Sequence, residues 1–383
     1  MVGDTRVPLS GSVAQRSLDA ATRLAEGMSK TRKARKKLEP GVPDDAARVA
    51  FRARLGRWYA ESARVLPWRG VDDAYATWVS EVMLQQTRVA TVIERYTKFM
   101  ERYPTVAVLA KADESEVLAL WSGLGYYRRA RMLLHGARFV MEERAGVMPR
   151  TATELFALPG VGEYTSAAIA SIAFGESVAV VDGNVARVLL RVLGENEEKS
   201  SAAKARLKAV AQALVPERSR IGNAPGDHNQ AMMELGATVC VPRGPLCLQC
   251  PVMELCRTRG AHVTAKREAQ KWRRVAHLLL SRKGGSELLL ERRDAEASLM
   301  AGMLELPPLT LNAVEGMEPM VRVKHSITNT NYEVEVFEDA ALKKEIPAAN
   351  KALQWVSVDA LNEVPLTGLA RKVLVKVGVL AKR

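Results

Sequence analysis

Cysteine is scarce in this chain. Four occur in 383 residues, and all four fall between positions 240 and 256. None is left over to staple the rest of a 42.0 kDa chain, so a disulfide scaffold is excluded. No apolar run reaches the roughly 18 residues of a membrane-spanning helix. The start of the chain has no apolar core segment, so no secretory signal and a cytoplasmic location are expected. Acidic residues are outnumbered: 43 Asp and Glu face 56 Lys and Arg, a formal charge of +13. That excess points to a polyanionic partner, nucleic acid first. Charge alone leaves open a merely basic soluble protein. The length favours two domains, and 48% apolar residues supply a sizeable core.

Residues 1–47 form a polar extension with the basic run Lys30–Lys37, expected to be solvated and disordered. From Asp44 the pattern turns helical. Val49, Leu55, Trp58, Tyr59 and Val65 predict one apolar face, ended by Leu66-Pro67-Trp68-Arg69. A helix is expected over Val89–Tyr103, with Val89, Val92, Ile93, Tyr96, Phe99 and Met100 at helical spacing and Pro104 as the stop. Residues 48–256 thus read as a mainly α region, and 257–274 as a basic linker. Beyond it, His277–Leu280 and Leu288–Leu290 read as strands around the turn at Gly284-Gly285. Tyr332–Phe337 alternates with period two. Leu366–Val379 reads as a closing amphipathic helix. Residues 275–383 therefore suggest a smaller α+β domain.

The stretch Leu158–Val192 holds the densest signals. Gly160 and Gly162 lie in a turn before an Ala-rich helix, where backbone N–H groups are free to face an anion. A plain helix–helix connection is the alternative. Asp182 precedes another helix and reads as an N-cap or as a reactive carboxylate. Glu81 sits between Val79 and Val82-Met83-Leu84. A carboxyl desolvated there would keep a proton near neutrality and serve as a general acid, unless it lies on a polar helix face. Gly123 and Gly125 bracket Leu124 in a loop able to project an apolar side chain into a base stack, or else to form a surface turn. The spacing Cys240-x6-Cys247-x2-Cys250-x5-Cys256 means a metal site, and spacing alone permits zinc.

Together these stretches resemble one family. LPGVG (158–162) followed by VVDGNVARV (180–188) is similar to the helix-hairpin-helix–GPD superfamily of base-excision DNA glycosylases. LPWR (66–69), WVSEVMLQQT (78–87) and GLGYYRRAR (123–131) resemble its MutY family, which removes adenine mispaired with 8-oxoguanine. The resemblance implies that Gly160 and Gly162 hold a DNA phosphate, that Glu81 is the catalytic acid and that Asp182 is the catalytic aspartate. Gln86, Thr87, Leu124 and Tyr126 would lie at the lesion, and Arg128, Arg129 and Arg131 would suit phosphates. Gln230 would line the adenine pocket. The cysteine spacing is that of the family's [4Fe–4S] site, so iron–sulfur is preferred to zinc. Strand-cleaving relatives carry a lysine where this chain has Tyr164, and Lys is absent from Leu158 to Arg191. A monofunctional enzyme is therefore expected, with Tyr164 and Asn184 orienting Asp182.

The resemblance extends loosely over the second domain, which is similar to a Nudix-like lesion-recognition domain without a Nudix hydrolase box. The family's reading loop carries Phe-Ser-His; here the segment is His325-Ser326-Ile327-Thr328-Asn329-Thr330-Asn331. Thr328 and Asn329 are the expected reading residues. The partner implied is double-stranded DNA containing 8-oxoguanine:adenine or guanine:adenine mispairs, met by a monomer with no membrane contact. An endonuclease-III-like lyase for oxidised pyrimidines shares the hairpin and cluster, but Tyr164 argues against it. A non-catalytic DNA-binding protein would leave Glu81 and Asp182 without a role.

Overall fold

The computed structural model describes residues 43–381, apart from 197, 199, 219–221, 263–269, 295, 298, 299, 328 and 347–351. The basic extension lies almost wholly outside the described residues. Its expected boundary moves slightly, because α1 (Asp45–Ser62) begins where the Asp44 carboxylate accepts the Ala47 N–H at 2.8 Å. The apolar face of α1 is narrower than its pattern predicts. Phe51 and Leu55 are buried, whereas Val49 is exposed and Val65 falls in fully exposed chain beyond the helix end.

The centre of the helical region is α2 (Ala74–Leu84), started by the Asp73 side chain and buried from Ala74 to Met83. A helix apolar all round belongs inside a core. Around it come α3 (Val89–Arg102), α4 (Val106–Ala110), α5 (Glu114–Leu120), α6 (Arg128–Glu143), α7 (Ala152–Leu155) and α8 (Glu163–Phe174). On α3, Val92, Tyr96 and Phe99 face inward and Ile93 does not. The layer is completed by α9 (Gly183–Leu193), α10 (Ser201–Leu214) and α11 (Ala224–Thr238). Trp78, Phe99, Tyr103 and Trp121 supply much of the core volume. The Arg52 guanidinium donates to the carbonyls of Ala213, Leu214 and Val215, which ties α1 to the end of α10.

The second region is α+β, with two small sheets and a closing helix. In one sheet the order is β5 (Pro308–Leu309), β1 (Lys271–Leu278), β7 (Thr330–Phe337), β6 (Val321–Ile327), with β1 and β7 parallel. In the other, β3 (Glu287–Arg292) pairs with β2 (Ser281–Arg282), β4 (Leu304–Glu305) and β8 (Leu353–Ser357). The turn at Gly284-Gly285 joins β2 to β3, so the expected partner strand at 277–280 belongs to the other sheet. The end of the supposed linker, from Lys271, is already strand. The closing helix, α12 (Gly368–Lys376), packs Leu369, Ala370, Val373 and Leu374 into the core of this region. Met303 reaches the other way, fully buried in the core of the helical region.

Gly136 sets how closely α6 approaches α2. A Cβ there would lie 2.5 Å from the Trp78 ring and 3.1 Å from the Pro159 carbonyl. Gly to Ala within a helix ordinarily stabilises by about 1 kcal/mol. Here overpacking should win, so Gly136→Ala is expected to destabilise the fold by about 1 to 3 kcal/mol. A lower midpoint in denaturant unfolding, with an unchanged slope, is the result to look for.

Candidate active site and metal centre

Glu81, near the end of α2, is buried. The Tyr164 hydroxyl, from the first turn of α8, donates to Glu81 Oε2 at 2.6 Å and also approaches Met233 Sδ at 3.2 Å. Burial raises the Glu81 carboxyl to about 7, and the negative charge of Asp182 adds to the rise. The Tyr164 hydrogen bond and the Arg69 charge oppose it. The Tyr164 hydroxyl thus serves Glu81 and not Asp182, which corrects the expected partner.

Asp182 is the N-cap of α9, and both of its oxygens are engaged. Oδ1 accepts the Val185 N–H at 2.7 Å, and Oδ2 accepts from Asn184 Nδ2 at 3.0 Å. The capping reading of Asp182 is thus met, and its second oxygen is held as well. The run leading into it is fastened by Asn229, whose amide accepts from Val180 N–H and donates to the Val178 carbonyl. Gln230, beside it on α11, is half-buried.

The hairpin turn between α7 and α8 needs Gly160 for two reasons. Its φ is +76°, and a Cβ would sit 2.3 Å from the Met132 side chain. Gly162 starts α8 with no side-chain cap, so the N–H groups of its first turn face outward in the manner of an anion site. The acidic Glu163 beside them is neutralised by Lys208 at 2.6 Å.

A cleft of about 1210 Å³ opens between the two regions. Its walls include Gln86, Leu124, Tyr126 and Arg128 on the helical side and His325, Ser326 and Ile327 on the other. Several expectations change here. Leu124 is buried, and the exposed side chain of the loop is Tyr126, held at φ +49°. Gln86 is exposed to the cleft at φ +55°, but the Thr87 hydroxyl turns inward to the Leu124 carbonyl at 3.2 Å. Arg129 lines the cleft but turns its guanidinium to protein acceptors. Its guanidinium donates to the carbonyls of Val82, Met83, Gln85, Leu124 and Gly125 and lies between the rings of Trp121 and Tyr126. Arg131 is held by Glu114 and the Ala301 carbonyl, leaving Arg128 as the exposed arginine of the three. Asn329 is exposed but is not among the residues lining the cleft, and Thr328 lies outside the described residues.

Cys240, Cys247, Cys250 and Cys256 line a single small cavity with Arg191 and Arg259. The buried Arg191 guanidinium donates to Cys240 Sγ at 3.3 Å and to the carbonyls of Val241 and Pro242. The Arg259 N–H points to Cys256 Sγ at 3.4 Å. Burial pushes the Cys250 thiol up to about 11, and the other three sulfurs add to the effect. A metal group bound here would supply the positive charge that favours thiolate over thiol. Among the described residues, no group of three or more Cys, His, Asp or Glu is disposed as a single-ion site.

A family model described as "HhH-GPD superfamily base excision DNA repair protein" matches residues 79–226. An adenine DNA glycosylase of Mycolicibacterium smegmatis is 39% identical over 251 residues, which cover 65% of this chain and 82% of that protein. The chain belongs to the adenine DNA glycosylase family. The human adenine DNA glycosylase is 56% identical over 227 residues, 56% of this chain and 40% of the human protein. This chain therefore spans less than half the length of that relative. A solved thermostable thymine-DNA glycosylase aligns with a TM-score of 0.51 at 32% identity, covering 56% of this chain and 97% of that one.

One cluster in this member of the glycosylase family escapes a reading by sequence. Glu234 of α11 is buried and gripped by Arg64, through Nε and Nη2 at 2.7 Å each, and by Arg69 at 2.7 Å. Burial alone would raise this carboxyl, but the two guanidinium groups hold it down at about 2. Arg69 in turn is the positive charge felt by Glu81. Glu234→Gln should destabilise the protein by about 3 kcal/mol, since it leaves buried positive charge without its partner. Because the folded carboxyl lies below its ordinary value of 4.5, the stabilisation is complete above that pH and fades as pH falls toward 2. Acid unfolding of parent and variant should converge across that window; a constant offset at every pH would contradict this account.

Proposed function

We propose that this chain is a monofunctional adenine DNA glycosylase that acts on adenine opposite 8-oxoguanine, and opposite guanine, in base excision repair. One observation carries the reading: a buried carboxyl, Glu81, whose proton is retained to about pH 7, beside a second carboxylate locked in place at Asp182. A pair of carboxyl groups, one of them able to give a proton, suits cleavage of a glycosidic bond.

In this reading the hairpin at Gly160–Gly162 anchors a phosphate of the adenine strand. Tyr126 enters the base stack and the adenine swings out. Glu81 donates its proton to adenine N7, which makes the base a better leaving group. The sugar gains oxocarbenium character, and Asp182, held by Asn184 and the Val185 N–H, stabilises that positive charge. Water then completes an abasic site. Tyr164 supplies no amine for a Schiff base, which favours simple excision over strand cleavage. The cleft position of Ser326 makes it, with His325, the better candidate for reading the opposite base than Asn329.

The four cysteines would hold a [4Fe–4S] cluster. Their shared cavity, the Arg191 contact and the family's spacing support it. When bound, the cluster would cross-link the 240–256 loop through the four sulfurs. Purified protein is expected to be yellow-brown with about four irons per chain; one zinc in a colourless active protein would overturn the assignment.

The test of the function is incubation with duplexes containing defined mispairs, followed by alkali to reveal abasic sites. Adenine opposite 8-oxoguanine should be released fastest, and release of oxidised pyrimidines instead would refute the reading. Glu81→Gln should lose most excision while retaining binding. In the parent the single-turnover rate should fall as pH rises through about 7, because the donor is the protonated form of a carboxyl raised to about 7. Tyr164→Phe removes a hydrogen bond that favours the ionised form, so this alkaline limb should move upward. A limb that stays in place would mean that Glu81 is not the donor.

A further inference from the structure

The two walls of the cleft are joined behind the Tyr126 loop. Ser122 and Tyr127 flank that loop on either side, and both are buried. Arg371 of α12 donates through Nε to Ser122 Oγ at 2.8 Å. The Tyr127 hydroxyl donates to the Leu366 carbonyl, just ahead of α12, at 3.2 Å. Both partners come from the second region. The same helix is fastened to the strand bearing His325 and Ser326, since Lys372 and Lys376 donate to the carbonyls of Lys324 and Arg322 at 2.6 and 2.7 Å. One short helix therefore spans from the strand on one wall to the loop on the other.

The loop needs such support. Gly123, Gly125 and Tyr126 have φ of +96°, +68° and +49°, and the two glycines leave the backbone many alternatives. Arg129 grips the loop from the helical side through the Leu124 and Gly125 carbonyls. Nothing in that grip reaches Ser122 or Tyr127. We infer that Arg371 is a positioning residue for base extrusion: through Ser122 it braces the Tyr126 loop, so that the second region fixes the probe as well as facing the opposite base. The inference rests on the proposed glycosylase reading, in which Tyr126 enters the stack. It extends that reading by giving the second region a part in excision from any mispair, whether or not a lesion is present.

The test uses the full chain, with Arg371→Met and, as a milder change, Ser122→Ala. Two measurements are made. Amide hydrogen exchange in the free protein should become about tenfold faster at residues 123–127 in both variants, the scale of one lost charge-assisted hydrogen bond, while α8 and α9 are unaffected. Single-turnover excision is then compared on adenine opposite 8-oxoguanine, opposite guanine and opposite an abasic analogue. The first two should slow by about tenfold, and the third by much less, because an adenine without a partner base needs little help to leave the stack. Equal losses on all three duplexes, or unchanged exchange at 123–127, would overturn the brace. If the parent releases adenine from no duplex, the proposed function fails instead, and the exchange result alone decides whether the brace exists.

Discussion

A carboxyl group that keeps its proton near neutrality must be removed from water and shielded from compensating charge, and much of the helical region is built around that constraint at Glu81. Its helix is apolar on every side, so desolvation is assured by packing and needs no special device. The nearby cation, Arg69, opposes the effect weakly. Arg69 is itself paired with Glu234. Tyr164 fixes the direction of the carboxyl at the cost of some of its proton affinity. The outcome near 7 is a balance of these influences.

A second constraint is that two distant stretches of chain must meet around one cleft. The end of α2 and the loop after α5 are made into one surface by Arg129, which fills the space between them with donors to orphan carbonyls. The helix carrying Glu81 and the loop carrying Tyr126 thus share a single anchor. On the other wall, α12 performs the matching task. A cleft assembled in this way favours a ligand that touches both walls at once, as a duplex does.

The grouping of the candidate site residues was legible in the sequence wherever it is written locally. Asp182 and Asn184 lie within one turn, the cysteines within one loop, and Glu81 within one apolar run, so residue type and spacing were enough. What could not be read was pairing across the fold. Glu234 and Arg64 stand 170 positions apart, and each alone looks like a solvated charge. Tyr164 had two carboxylates within reach, and only the helix geometry decides between them. Which side chain of a glycine-bracketed loop faces inward depends on backbone φ, so of the two expected at the lesion Leu124 is buried and Tyr126 exposed. In the second region most of the strand Thr330–Phe337, from Tyr332 on, and the closing helix were visible from periodicity. Sheet membership was not, because β1 pairs with a strand far along the chain.

The engagement of Asp182 at the start of α9 has a consequence for how still it is held. An ordinary carboxylate wanders among rotamers, and ordering it during a reaction costs conformational entropy. Here one oxygen is fixed to a backbone N–H and the other to a neighbouring amide, so the group moves only as the helix end moves. Its positional uncertainty is that of folded backbone, and the ordering was completed when the helix formed. In the proposed reaction a carboxyl stationed in this way would meet the developing cation without first having to find it.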